Sequence, residues 1–334
     1  MTDLPLISSH ARSDYGRCPK KWYWRWLLGL IPLKETFGAL TLGTWVHEAF
    51  NEWYRSGLLR KGKLAEHLAT VAYTDIETAK TNGAPDNLIE KAEEQAALGQ
   101  AMMRAYEQHY GKDSSVYALA KEIPLEFDLG IATFKLKPDM VFHDRERRIW
   151  LMEHKTAATI RTGHLVIDNQ ARPYAAMAER ALLNAGVLSK GETLHGIMYN
   201  FLRKALPDER PVNAEGKRLN MDGSVSARQP SPYFLRHPVR VTKQEKAITL
   251  KRVVRDAYEM TALRARIKDG TLTPEDIRKT PHYSCERTCD YFTMCVTEES
   301  GGDITDLKRS QYRKANPYEY YQESTDEPQS FEMG

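Results

Sequence analysis

Cysteine is scarce, with four in 334 residues. A disulfide-stapled secreted scaffold carries far more per residue, so that class is excluded and a reducing cytoplasm is the expected compartment. No run of about 18 apolar residues occurs, so no membrane span is expected. Residues 1–17 lack a cationic opening and a continuous apolar stretch, and a secretory signal is not expected either. Charge of one sign is also missing. Lys+Arg number 48 and Asp+Glu 45, for a net +3, so global charge argues for neither nucleic acid nor membrane. Disorder is excluded by a hydrophobic fraction of 41%. The length suits two domains of roughly 150 residues or one large α/β domain.

What is present is unevenly placed. Residues 1–35 are rich in aromatics, with Trp22, Tyr23, Trp24 and Trp26 interleaved with Lys20, Lys21 and Arg25. Ser8 or Ser9 can cap a short helix just before them. Residues 41–56 read as a helix, with Val46, Ala49, Phe50, Trp53 and Tyr54 at spacings of three and four and Gly57 to end it. Residues 64–110 read as helical with a break at Asn82–Pro85, and nothing up to there reads as a strand. From 118 the pattern turns extended: 118–130, then a hairpin of 133–142 and 149–156 around a solvated connection at 143–148. A helix at 169–185, a strand at 194–203, a Pro-rich polar loop at 204–232, a strand at 233–241 and a long helix at 243–268 follow. Residues 296–334 are polar, and the last twenty hold five acidic side chains and no Lys or Arg. A weakly ordered tail is expected there. There is no internal repeat.

Cys285, Cys289 and Cys295 form a C-x3-C-x5-C cluster, and Cys18 is the one other cysteine. Thiolates gathered this way bind soft metals or iron–sulfur clusters. Spacing alone does not separate zinc from [4Fe-4S], and buried metal-free thiols are the plain alternative. The hairpin carries Pro138-Asp139 on one strand and Glu153-His154-Lys155 on the other. Alternation puts Glu153 and Lys155 on one face, and a turn centred on 145–147 puts Asp139 opposite Glu153. Paired carboxylates beside an ammonium suit Mg²⁺ or Mn²⁺ and its hydrolytic chemistry. A cross-strand salt bridge on a sheet surface explains the same residues without function. His47 on the first long helix, and Gln170 with Tyr174 at i and i+4, are weak signals singly.

Taken in order, these pieces resemble the PD-(D/E)xK nuclease superfamily in its RecB-like, iron–sulfur branch. They are an N-terminal Cys-Pro among aromatics, Gly43-x3-His47, Pro138-Asp139, Glu153-x-Lys155, Gln170-x3-Tyr174 and the C-terminal cysteines. The likeness runs from about Ser8 to Cys295, nearest to CRISPR-associated adaptation exonucleases and their bacteriophage homologues. It implies a Mg²⁺- or Mn²⁺-dependent exonuclease acting on DNA that is single-stranded or has a free end. In it Asp139 and Glu153 would be acidic metal ligands, His47 a further ligand and Lys155 the catalytic lysine. Gln170 and Tyr174 would support the site. Cys18, Cys285, Cys289 and Cys295 would hold a [4Fe-4S] cluster, with zinc as the alternative. The resemblance names no protein partner. It departs from many relatives in having Lys137-Pro138-Asp139 where they carry Gly-x-x-Asp.

The expected fold is α/β, a restriction-endonuclease-like core with a central mixed sheet flanked by helices. A helical N-terminal part at 1–115 would carry Cys18 and His47. A nuclease core at 116–270, an iron–sulfur segment at 271–300 and a polar tail at 301–334 would follow. The cluster would staple the chain's distant ends. Basic residues of 203–228 either track phosphates or are solvated. Trp22, Trp24 and Trp26 either stack on single-stranded DNA or pack the Cys18 segment, with the neighbouring cations in water. A non-catalytic nucleic-acid-binding module on the same fold is the alternative to the enzyme.

Overall fold

The computed structural model describes residues 4–33, 37, 41–111 and 114–322. Residues 323–334 of the expected tail lie outside them. The N-terminal part runs β1 (Leu6–Ser8), α1 (Ser9–Arg17), α2 (Pro19–Trp22), a π-helical turn (Tyr23–Leu27) and β2 (Leu30–Pro32). Three helices follow: α3 (Thr41–Trp53), α4 (Leu64–Thr81) and α5 (Asp86–Tyr110). Then come β3 (Tyr117–Lys121), β4 (Leu125–Asp128), β5 (Thr133–Leu136), β6 (Met140–His143), β7 (Ile149–Ala157), α6 (Ala171–Asn184), β8 (Leu194–Arg203), β9 (Phe234–Arg240) and α7 (Lys243–Lys268). The chain closes with α8 (Cys285–Thr288), α9 (Phe292–Glu299), α10 (Thr305–Gln311), β10 (Tyr312–Lys314) and a 3₁₀ turn (Glu319–Tyr321).

The central sheet has the order β3-β6-β7-β8-β9 and is mixed, since β7 and β8 are parallel and the other pairings antiparallel. Period-two alternation along β7 divides its side chains between two layers. Ile149 and Leu151 enter the core that contains α6 and α7 residues such as Ala178 and Val253. Trp150 and Met152 enter the core built with α3, α4 and α5 through Val46, Leu68 and Met102. Both faces are therefore buried, which is why the strand reads as an unbroken apolar run. Local signals set the helix starts. Ser8 Oγ accepts from Ala11 N–H at the head of α1. Thr242 and Glu245 form a full capping box at the head of α7.

Several expectations change. The strand expected at 133–142 is two strands in different sheets. β5 pairs with β4 and, in parallel, with β1, while only β6 forms the hairpin with β7. The extended stretch at 118–130 likewise breaks, at Glu122 with φ of 45°, ahead of Pro124. β1 and β2 carried no strand signal because three-residue strands have no visible alternation. Their partners are β5 and β10, far along the chain. The connection 143–148 is a closed turn in which Asp144 accepts from Arg148 and from Trp150 Nε1. The part of the tail from 305 to 322 is folded, and Tyr312 to Lys314 pair with β2. Gly29, at φ of 65°, makes that docking possible, because a Cβ there would come within 2.5 Å of the Ala315 carbonyl oxygen.

Candidate active site and cysteine centre

The β6–β7 register is Met140 opposite Met152, which carries Asp139 to the level of Glu153 at the mouth of the hairpin. Asp139 is buried, and its Oδ2 accepts from the His154 backbone N–H at 2.7 Å. Its Oδ1 lies 3.3 Å from His47 Nδ1 on α3. The other His47 nitrogen, Nε2, donates to the His154 carbonyl at 3.1 Å. A carboxylate beside one ring nitrogen and a carbonyl at the other favour the imidazolium. Burial opposes that charge, but the Asp139 carboxylate outweighs it and pushes the His47 pKa up to about 9. Burial would raise the Asp139 pKa, and the His47 charge and hydrogen bond pull it down to about 2.

Glu122 joins this pair. It directly follows β3, and its backbone N–H donates to the Asp139 carbonyl. Ligand atoms of His47, Glu122 and Asp139 all lie within 4.8 Å of one another, and they are the one such group among the described residues. Burial and then the Asp139 charge push the Glu122 pKa up to about 7. The three residues line a small recess whose wall includes Phe50, Tyr54 and Met140. A larger open hollow, of about 1040 Å³, runs along Tyr110, Phe234 and Arg236 and contains none of these groups. Sequence patterning does not single out Glu122, because 118–130 reads as one strand where the structure has two. The visible signal was a carboxylate two residues before Pro124, where that strand must stop.

Glu153 stands beside the triad rather than within the 4.8 Å group. Its Oε1 accepts from Lys155 Nζ at 2.6 Å and from Gln170 Nε2 at 3.0 Å. Lys155 also donates to Gln170 Oε1 at 3.3 Å. Burial lowers the Lys155 pKa, yet the Glu153 charge prevails and the lysine is held cationic. Burial raises the Glu153 pKa against the pull of Lys155. Gln170 precedes α6 instead of lying within it, and Asp168 Oδ1 caps the helix by accepting from the backbone N–H groups of Gln170 and Ala171. Tyr174 lies one turn on and is buried, and burial pushes its pKa up.

His154 points to the opposite face of β7. It stacks on Phe50 with ring centroids 4.2 Å apart, and Asn200 Nδ2 donates to its Nδ1 at 2.9 Å. Burial drives its pKa down to about 3, so this imidazole is neutral. Tyr106 in turn donates to Asn200 Oδ1 and accepts from Arg236. That network fixes the backbone on which Glu153 and Lys155 are carried.

None of the four cysteines is in a disulfide, and all are partly buried. Cys18 lies between α1 and α2, Cys285 starts α8, Cys289 ends it and Cys295 is in α9. Arg17 donates to Ser284 and Thr288, and Lys20 donates to Glu298, so both ends of the chain are tied on either side of the cysteines. Burial first, and then the neighbouring thiols, raise the pKa of Cys289 and Cys295, with Cys18 among the neighbours of each. No three of the sulfurs lie within 4.8 Å of one another.

The N-terminal aromatics pack. Trp22 and Trp24 are buried, and Trp26 donates to Asp14. Lys20 departs from the solvated placement expected of it: its side chain is fully buried. The loop at 204–232 is folded on itself, with Arg210 on Asp208 and Arg218 reaching the Arg210 carbonyl.

The profile of the PD-(D/E)XK nuclease superfamily matches residues 7–296. That span covers most of the chain, and the chain belongs to this superfamily. Its mixed α/β architecture, with a central mixed sheet between helices, is of the restriction-endonuclease-like kind. A solved protein from Eubacterium rectale, named a candidate exonuclease, aligns with a TM-score of 0.41 at 15% identity. The alignment covers 85% of this chain and 93% of that one. No curated protein matches. Among the described residues no helix is long and apolar enough to cross a membrane.

Proposed function

We propose that this nuclease is a metal-dependent DNA exonuclease with a structural [4Fe-4S] cluster, working in DNA recombination, repair or processing in the cytoplasm. The observation that carries the reading is the meeting of His47, Glu122 and Asp139 beside the Glu153–Lys155–Gln170 set. Carboxylates with one imidazole are a hard donor set, suited to Mg²⁺ or Mn²⁺. Bound there, such an ion supplies Lewis acidity toward a phosphoryl oxygen and acidifies water.

The protein's own part follows from the geometry. Asp139 is held ionised and oriented by the His154 N–H, and His47 must release its proton before it can ligate. Glu153 would add a further acidic ligand from β7. Lys155 orients the attacking water and offsets charge that develops on the phosphate. Gln170 bridges Glu153 and Lys155 and holds both in register, with Tyr174 closing the site behind them. Cys18, Cys285, Cys289 and Cys295 would hold the cluster, which ties α1 and α2 to α8 and α9. In this reading residues 1–115 and 271–300 serve the core at 116–270 by bringing in His47 and closing the chain.

Digestion of end-labelled single- and double-stranded DNA with Mg²⁺ or Mn²⁺ tests the reading. Label released as mononucleotides or short oligonucleotides from an end supports an exonuclease. Internal cuts, or no cuts by folded, metal-loaded protein, contradict it.

A further inference from the structure

The folded end of the chain reaches the active site, and nothing in the motif set accounts for it. Beyond the cysteines, β10 pairs with β2, and Tyr291 and Tyr312 stack with centroids 5.3 Å apart. Three tyrosines then pin residues 318–321. Tyr318 donates to the Leu6 carbonyl at 2.6 Å. Tyr321 meets His10 Nδ1 at 2.9 Å. Tyr320 packs edge-on against Tyr321, with ring centroids 5.2 Å apart. Its hydroxyl reaches Glu122 Oε2 at 3.4 Å, and Lys137 Nζ sits 4.5 Å from its ring centroid and 3.3 Å from the same carboxylate oxygen. Half of Tyr320 is exposed.

An aromatic ring therefore stands at the rim of the triad, with a cation on it, and its backbone is held from both sides. Purely structural tyrosines in the same turn look different, since Tyr318 and Tyr321 are both buried. A phosphate bound at His47, Glu122 and Asp139 would have its flanking nucleotide near this rim, because the Tyr320 hydroxyl touches Glu122. Charge beside an exposed ring is the pairing by which single strands are gripped without regard to sequence. We propose that Tyr320 is a substrate-positioning residue that stacks on a base of the DNA strand next to the scissile phosphate. The inference rests on the nuclease reading above and adds a substrate contact from outside the superfamily match, which ends at residue 296.

The test is fluorescence anisotropy with a 5′-labelled oligothymidylate and an abasic strand of equal length, with Ca²⁺ as the divalent ion. Wild type, Tyr320→Phe and Tyr320→Ala are compared, and cleavage with Mn²⁺ is run in parallel. Stacking predicts that Tyr320→Ala weakens oligothymidylate binding about five-fold or more, while Tyr320→Phe stays within about two-fold. On the abasic strand all three proteins should bind alike. In cleavage, Tyr320→Ala should raise KM by the same factor with kcat nearly unchanged. Equal binding of oligothymidylate by Tyr320→Ala and wild type overturns the inference. So does an equal loss on both strands, which would mark a structural role. Wild type that shows the base-dependent difference but cuts no DNA leaves the contact standing and removes the nuclease reading. Wild type that binds neither strand overturns both.

Discussion

Lys20 offers a sharp test of how the two ends of the chain are held. Its side chain is fully buried, and Nζ donates to Glu298 Oε1 and to the Pro274 carbonyl, each at 2.7 Å, while lying 5.1 Å from the Trp24 ring centroid. Glu298 has a second cation, Lys279, at 3.1 Å. The two partners therefore differ in what their loss leaves behind. Lys20→Met leaves Glu298 paired with Lys279 and strands one carbonyl. Breaking a buried pair typically costs 3–5 kcal/mol, and with Lys279 in place the low end applies, about 3 kcal/mol. Glu298→Ala leaves an ammonium that cannot reach water, which puts it at the high end, about 5 kcal/mol. The double variant Lys20→Met/Glu298→Met replaces the pair with apolar groups of similar length. It should recover most of the loss, to within about 1 kcal/mol of wild type. Urea denaturation followed by tryptophan fluorescence reads all three. A Lys20→Met loss below about 1 kcal/mol, or losses that simply add in the double variant, would refute a buried, mutually dependent pair.

Other predictions follow from the same structure. Without metal, the His47 imidazolium contributes stability below its ordinary value of 6.5, and this is lost as pH rises through about 9, so the melting temperature of EDTA-treated protein should fall over that interval. The His47→Gln variant should flatten that slope. Mn²⁺ binding by titration calorimetry should strengthen about ten-fold per pH unit between 7 and 8, where the ion displaces the His47 proton, and more steeply below 7, where Glu122 also holds one; a flat profile between 7 and 8 would refute His47 as a ligand. Glu122→Gln should weaken the same binding by at least about ten-fold, roughly the loss of one charged ligand. Cys289→Ala should give protein without bound iron and with a lowered melting temperature, and iron retained at the wild-type level would remove that cysteine from the cluster.

Much of the core was legible. Asp139 could be set opposite Glu153 because a short hairpin fixes register from its turn, and β7 announced its burial through Ile149 to Met152. Lys155 and Glu153 could be put on one face by alternation alone. What stayed hidden depends on contacts distant in sequence. Glu122 becomes part of the site through one residue with positive φ, which no periodicity reports. Lys20 reads as a surface cation until Glu298 is brought to it across the fold. The polar composition after residue 296 suggested a loose tail. It concealed Tyr312, Tyr318 and Tyr321, which are buried against β2, Leu6 and His10 through single hydrogen bonds and strand pairing. His154 sits inside the Glu-x-Lys motif, and only the alternation of β7 together with Asn200 reveals it as a neutral support on the far face.

The central claim is that Glu153 and Lys155, with the His47–Glu122–Asp139 group, hydrolyse DNA. Its most direct test is single-turnover cleavage of an end-labelled strand with Mn²⁺ by wild type, Glu153→Gln and Lys155→Met, with oligonucleotide binding measured on the same preparations. The account predicts cleavage by wild type and a fall of about 10² or more in the rate constant for each variant, with binding nearly kept. Cleavage by Lys155→Met at the wild-type rate would contradict it.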